Sequence, residues 1–163
     1  WLSPENAAFW LTAIAAELSE LDPNNAEIYA MNAKVGATEI EAAADEIKHK
    51  LEPYHDANFV VFHDAYQYFE EAFDLHVTGA LHLGDASKPS AARLAAIQEE
   101  IAEQGVSCVF AEPQYNSSLV ASVAPEGTNT GILDPHGIDL TAGPTLYIAL
   151  LNDLANNAIE CLQ

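Results

Sequence analysis

Basic residues are scarce in this chain. Five Lys plus Arg stand against 25 Asp plus Glu among 163 residues, a formal net charge of −20. Such a surface repels phosphate backbones and anionic membranes, which excludes a nucleic-acid-binding role and leaves cations as the ligands its field favours. A strong field is not a site, however, and most of the excess acid reads as solvated surface. Long apolar runs are also missing, so no segment is expected to insert into a membrane. The opening Trp1-Leu2-Ser3-Pro4 lacks the basic start and apolar core of a secretory signal, and the missing initial Met reads as processing or truncation. The two cysteines, Cys108 and Cys161, are too far apart for a C-x-x-C redox motif or a zinc knuckle; spacing alone leaves a thiol pair and a disulfide equally open. The eight glycines form neither G-x-G-x-x-G nor a phosphate loop, so nucleotide binding has no support.

What is present is a chain able to fold. Half of it is hydrophobic and only 18% is charged, which excludes wholesale disorder, and the length fits one domain. Ser3-Pro4-Glu5 reads as a helix start: a hydroxyl cap, Pro at the first helical position, acid in the first turn. Leu11, Ile14, Leu18 and Leu21 follow at helical spacing. Asp22-Pro23 repeats the start signal. From Asn24 to Leu51 a stripe of Tyr29, Ala33, Gly36, Ile40, Ala44, Ile47 and Leu51 predicts one helix of about 42 Å, with a break near Gly36 as the alternative.

Beyond Pro53 the period changes. Phe59-Val60-Val61-Phe62 reads as a strand buried on both faces. An aromatic-rich helix follows over 65–73, then an irregular strand over 75–83. A helix capped by Ser90 carries Leu94, Ile97 and Ile101 and closes at Gly105. Val106 to Ala111 reads as the next strand, 116–123 as a short helix, Thr130 to Leu133 as a fourth strand and 145–162 as a final helix. Alternation of this kind predicts an α/β fold, a three-layer lobe with a four-stranded parallel sheet flanked by helices, preceded by a long connecting helix.

In open parallel sheets, ligands bind outside the carboxyl ends of the strands. His63-Asp64, His82, Glu112-Pro113 and Asp134-Pro135-His136 all fall there. Imidazole with carboxylate suits zinc or manganese before copper, although a lone His after a strand is more often a hydrogen-bonded core or capping residue. His63-Asp64 resembles the pair of some metal-dependent phosphohydrolases, but that class needs further His and Asp at helical spacing. Ser117-Ser118 lacks a G-x-S-x-G elbow. His49 and His55 read as solvated helix-end residues, and Tyr66, Tyr68, Phe69 and Phe73 as core.

Four blocks of sequence change the balance. Trp1-Leu2-Ser3-Pro4-Glu5-Asn6-Ala7, Phe59-Val60-Val61-Phe62-His63-Asp64-Ala65-Tyr66 with Tyr68-Phe69, Cys108-Val109-Phe110-Ala111-Glu112-Pro113-Gln114 and Leu133-Asp134-Pro135 resemble the zinc-uptake solute-binding proteins of bacterial ABC transporters. The order and spacing agree nearly end to end. The resemblance implies two lobes of which this chain holds one: residues 1–22 as a helix leading from the other lobe, 23–52 as the interlobe backbone helix and 53–163 as the carboxy-terminal α/β lobe. It implies zinc held in the cleft between lobes, with manganese as the alternative metal. His63 and Asp134 are implied as ligands, with a further histidine two positions before Trp1. Asp64, Glu112 and His136 stand as outer-shell or extra-ligand candidates, and His136 departs from the family pattern.

The resemblance further implies a Cys108–Cys161 disulfide, periplasmic location and an ABC permease as partner. The two-lobed protein is expected to be a monomer with no enzymatic activity. The isolated lobe, its apolar cleft surface uncovered, is expected to bind zinc poorly and to self-associate. Two rivals are a metal-linked surface adhesin and, less strongly, a metal-dependent hydrolase with an activated water.

Overall fold

The computed structural model describes residues 1–82, 90–115 and 118–163. Helix α1 (Pro4–Leu21) starts as its sequence dictates, with the Ser3 hydroxyl accepting from the Asn6 amide at 3.1 Å and Pro4 in the first turn. A 3-10 turn (Pro23–Asn25) leads into α2 (Ala26–Leu51), 26 residues without interruption. Gly36 does not break it. A Cβ at Gly36 would lie 2.9 Å from Leu11 Cδ1, so this glycine lets α1 and α2 approach closely and does not end a helix. The long helix thus begins two residues later than its sequence pattern indicates, because Asp22-Pro23 first folds into the tighter turn. Lys48, His49 and Lys50 occupy its last turn, where cations complement the helix dipole.

The remaining chain alternates strand and helix: β1 (Asn58–His63), α3 (Gln67–Phe73), β2 (His76–His82), α4 (Ala91–Glu103), β3 (Cys108–Ala111), α5 (Ser118–Val123), β4 (Asn129–Ile132) and α6 (Leu146–Leu162). The four strands form one parallel sheet in the order β2-β1-β3-β4. Helix α3 starts two residues later than expected and β3 two residues later; Leu83 and residues 116 and 117 of the expected elements lie outside the described residues. Gly105, at φ +61, closes the turn after α4, a left-handed position that glycine adopts without strain.

Alternation along the strands divides the core into two layers. Phe59, Val61, Cys108 and Phe110 pack on one face with Ile47, Leu51, Phe69, Phe73, Leu151 and Leu154. Val60, Phe62, Val109 and Ala111 pack on the other with Ile97, Ile101, Val120 and Val123. Every residue from Phe59 to Phe62 is therefore buried, the reason the run reads as continuously apolar. Cys108 is bonded to Cys161, tying β3 to the end of α6 with the Cα atoms 5.9 Å apart. In the chain-entropy picture a closed loop of this length stabilises by about 4 kcal/mol. None of the described helices is long and apolar enough to cross a membrane.

Candidate metal centre

Strands β1 and β3 are neighbours, while the chain after β1 moves outward to β2 and the chain after β3 moves outward to β4. Their carboxyl ends flank the switch point where ligands of open α/β sheets bind. Parity then places the side chains. His63 shares a phase with Phe59 and Val61, and Glu112, one step beyond β3, shares a phase with Cys108 and Phe110. Both side chains leave the strands towards the same layer and meet there: His63 Nδ1 lies 2.5 Å from Glu112 Oε1. His82 stands opposite His63 in the β1–β2 register.

Glu112 is only 2% exposed. Burial pushes its carboxyl above the ordinary value, opposed by the hydrogen bond and charge of His63 and by the Tyr66 hydroxyl. A carboxylate here makes Nδ1 the N–H side of the His63 ring and leaves the Nε2 lone pair for a ligand. Among the described residues, Nε2 makes no hydrogen bond. The Tyr66 hydroxyl lies 3.2 Å from Glu112 Oε1 and 3.3 Å from the Leu133 carbonyl, so it ties the ends of β1, β3 and β4 together. Burial and the nearby Glu112 charge both raise its pKa, so it stays a donor. Glu112 Oε2 is buried with no hydrogen-bond partner among the described residues. Leaving such a group unpaired costs roughly 1–3 kcal/mol, which a water or ion reaching Oε2 would relieve.

The second cluster lies beyond β4. Asp134 is 7% exposed and accepts from the His136 amide at 3.0 Å, the Ile138 amide at 2.5 Å and the Gln114 side-chain amide at 3.0 Å. Burial alone would raise its pKa, but the donors of Ile138, His136 and Gln114 outweigh it and hold the carboxyl below the ordinary value. The same Gln114 nitrogen lies 3.0 Å from His136 Nδ1. The exposed His136 ring stacks on Trp1 at a centroid distance of 5.8 Å. Trp1 Nε1 in turn donates to the Pro135 carbonyl at 2.8 Å, and the Tyr147 hydroxyl donates to the Trp1 carbonyl at 2.8 Å. These contacts fasten the start of the chain to the 134–138 loop.

Of the outer-shell candidates for His63, the structure brings Glu112 to the ring. Asp64 is exposed and, among the described residues, makes no hydrogen bond to it. His49 and His55 are exposed at the end of α2; His55 faces Asp56 at 3.2 Å. Ser117 is outside the described residues, and Ser118 opens α5. Sequence reasoning treated Tyr66 as core and gave Gln114 no role. Gln114 sits in the turn that follows β3, where the Tyr115 amide donates to the Glu112 carbonyl at 3.1 Å, so its approach to Asp134 depends on loop course and strand spacing gives no signal for it. Among the described residues, no three His, Cys, Asp or Glu side chains form a group able to hold a metal unaided.

Comparison with known proteins identifies the chain's relatives. The profile of the family described as zinc-uptake complex component A, periplasmic, or ZnuA, matches residues 1–161. The high-affinity zinc uptake system protein ZnuA of Paracoccus denitrificans is 47% identical over 99% of this chain and 50% of its own length. A crystal structure of ZnuA superposes with a TM-score of 0.86 at 29% identity, covering 100% of this chain and 59% of that one. The solute-binding protein FpvC of Pseudomonas aeruginosa, solved with Mn2+, superposes with a TM-score of 0.83 at 25% identity, covering 99% and 61%. The chain spans about half the length of the curated relatives it matches. With its parallel sheet, its long helix and the histidine–carboxylate pair at the switch point, the chain belongs to the zinc-uptake complex component A family.

Proposed function

We propose that this chain is the carboxy-terminal lobe and connecting helix of a periplasmic zinc carrier that captures the ion between two lobes and hands it to an ABC permease. On this reading residues 1–22 lead from the other lobe, residues 23–52 bridge the two and residues 53–163 form the second wall of the cleft. The role is transport and not catalysis. The observation that carries it is the His63–Glu112 pair: a buried carboxylate holds Nδ1, so Nε2 is presented as a neutral imidazole ligand of the kind zinc prefers. Asp134 is the second ligand from this lobe. Its oxygens already face the amides of Ile138, His136 and Gly137 and the Gln114 side chain, so the ion would share an oxygen with these donors.

A split shell suits a carrier, because ligands on two bodies bind tightly when the bodies close and let go when they part. It also means that the lobe alone binds zinc far more weakly than the intact protein. Manganese is the second reading, favoured by the Asp134 oxygen and by the likeness to FpvC. The decisive experiment is competitive zinc and manganese titration of the intact protein and of its His63→Ala variant. Loss of a direct ligand is expected to weaken zinc by more than the 10–100-fold typical of an outer-shell partner. Unchanged zinc affinity in His63→Ala would refute the assignment.

A further inference from the structure

The two histidines at the sheet edge meet different partners, and that difference decides which of them can serve as a ligand. His63 Nδ1 faces a carboxylate, so its proton sits on Nδ1. His136 Nδ1 faces the Gln114 amide nitrogen, and the same nitrogen faces Asp134 Oδ1. Asp134 already accepts two main-chain N–H groups and is ionised, so it can only receive a hydrogen from Gln114. That orients the amide with its NH2 inward. One hydrogen goes to Asp134, and the other points at His136 Nδ1, which must then be an acceptor. A neutral imidazole that accepts at Nδ1 carries its proton on Nε2.

We propose that Gln114 is a positioning residue that fixes His136 as the Nε2–H tautomer and so keeps this imidazole out of the metal's coordination shell. His136 is then a hydrogen-bond donor, packed on Trp1, and of these two rings only His63 offers a nitrogen lone pair to the ion. Gln114 acts at two points with one amide, because it also holds the Asp134 carboxylate in place. The effect is on specificity. A second imidazole would bias the site towards zinc, nickel and copper, whereas one imidazole beside a carboxylate leaves it open to harder ions. This inference rests on the metal-carrier reading for its consequence, though the tautomer itself does not depend on metal.

The test uses the intact protein with 15N-labelled histidine, the His136 signals being identified by their loss in His136→Gln. In the metal-free protein, with neutral rings, long-range 1H–15N correlation is expected to show the Nδ1–H form for His63 and the Nε2–H form for His136. Gln114→Glu replaces the donor by an acceptor and is expected to move His136 to the Nδ1–H form, against the ordinary preference of the ring. With 113Cd2+ as the probe, scalar coupling to His63 but not His136 is expected in the wild type, and coupling to both in Gln114→Glu.

An Nδ1–H form of His136 in the wild type, a tautomer indifferent to residue 114, or cadmium coupling to His136 in the wild type would each overturn the proposal. Should Gln114→Glu fail to fold, Gln114→Leu, which removes the donor without adding an acceptor, is read in its place: His136 is expected to gain Nδ1–H population and cadmium coupling, and a spectrum unchanged from the wild type overturns the proposal. Zinc titration of the same wild-type sample separates the two claims. Absence of zinc binding with the expected tautomers sinks the carrier reading alone, and tight zinc binding with the wrong tautomer sinks this one alone.

Discussion

The α1–α2 pair and the α/β lobe are built from similar proportions of apolar residues but treat them differently. In the lobe, β1, β3 and the inner face of α6 are almost wholly buried, and Phe110, Leu151 and Leu154 have no measurable exposure. Along α1 and the first half of α2, Phe9 is 68% exposed, Ile14 55%, Leu21 81% and Met31 59%. A monomer seldom leaves so many large side chains in one region uncovered. The core around the sheet takes in Leu2, Ile47 and Leu51 as well, while the helical pair leaves large apolar side chains exposed on more than one side. On the two-lobed reading proposed above, these side chains are the ones the other half of the protein would cover.

The sharpest test of that contrast is Phe110→Ala. Phe110 fills the sheet–α6 layer and meets Phe59 edge-on at 5.6 Å, so chemical denaturation of this chain is expected to show a loss of about 3–5 kcal/mol. Replacing Cys108 and Cys161 by Ala comes next. The loss should approach the 4 kcal/mol of the loop-closure argument, reduced by any structure left in the unfolded chain. An effect near zero from either change would mean that the lobe is not the self-sufficient half.

The two buried carboxyls give a smaller, opposite pair of effects. The pKa of Asp134 is held below its ordinary 3.8, so its contribution to stability is present above that pH and is lost as pH falls through the folded-state value. The pKa of Glu112 is held above its ordinary 4.5, so the folded state keeps a proton that the unfolded state releases. Its contribution is present at and below that pH and is lost as pH rises through the raised value. Thermal melts across pH should flatten below 3.8 in Asp134→Asn and above 4.5 in Glu112→Gln; the reverse pattern would contradict both assignments.

The smallest change is expected on the helical pair. Phe9→Gln and Met31→Gln should each alter the stability of this chain by less than about 0.5 kcal/mol, while costing the intact protein several times more. Equal, small effects in both would show that these side chains meet only solvent.

Much of this was legible in the sequence, because burial on both sheet faces leaves continuous apolar strands and helices leave stripes. The stripe through Gly36 carried on past the glycine, and it marked the unbroken helix that the structure shows. The periodicity of Leu11, Ile14, Leu18 and Leu21 gave a helix but could not say that three of the four side chains would stay largely exposed. The site was legible in part. His63, Glu112 and Asp134 fall at carboxyl ends of strands on one edge of the sheet, whereas Gln114 and Tyr66 owe their roles to hydrogen bonds between the loops that follow neighbouring strands. Such bonds depend on register and on loop course, which one-dimensional spacing does not encode. The cysteine pairing was undecided on spacing for the same reason.

Helix α2 has a mechanical consequence. Its carboxyl end is clamped, with Ile47 and Leu51 wholly buried in the lobe, while its amino end carries exposed side chains such as Ile28 and Met31. With α1 packed along it as a brace, it is an arm of about 39 Å, and a tilt of about 5° at the clamp swings the far end of the helical pair by roughly 3 Å. A rod of this stiffness converts packing changes of a few tenths of an ångström around Ile47 into displacements comparable to a bond between ion and ligand.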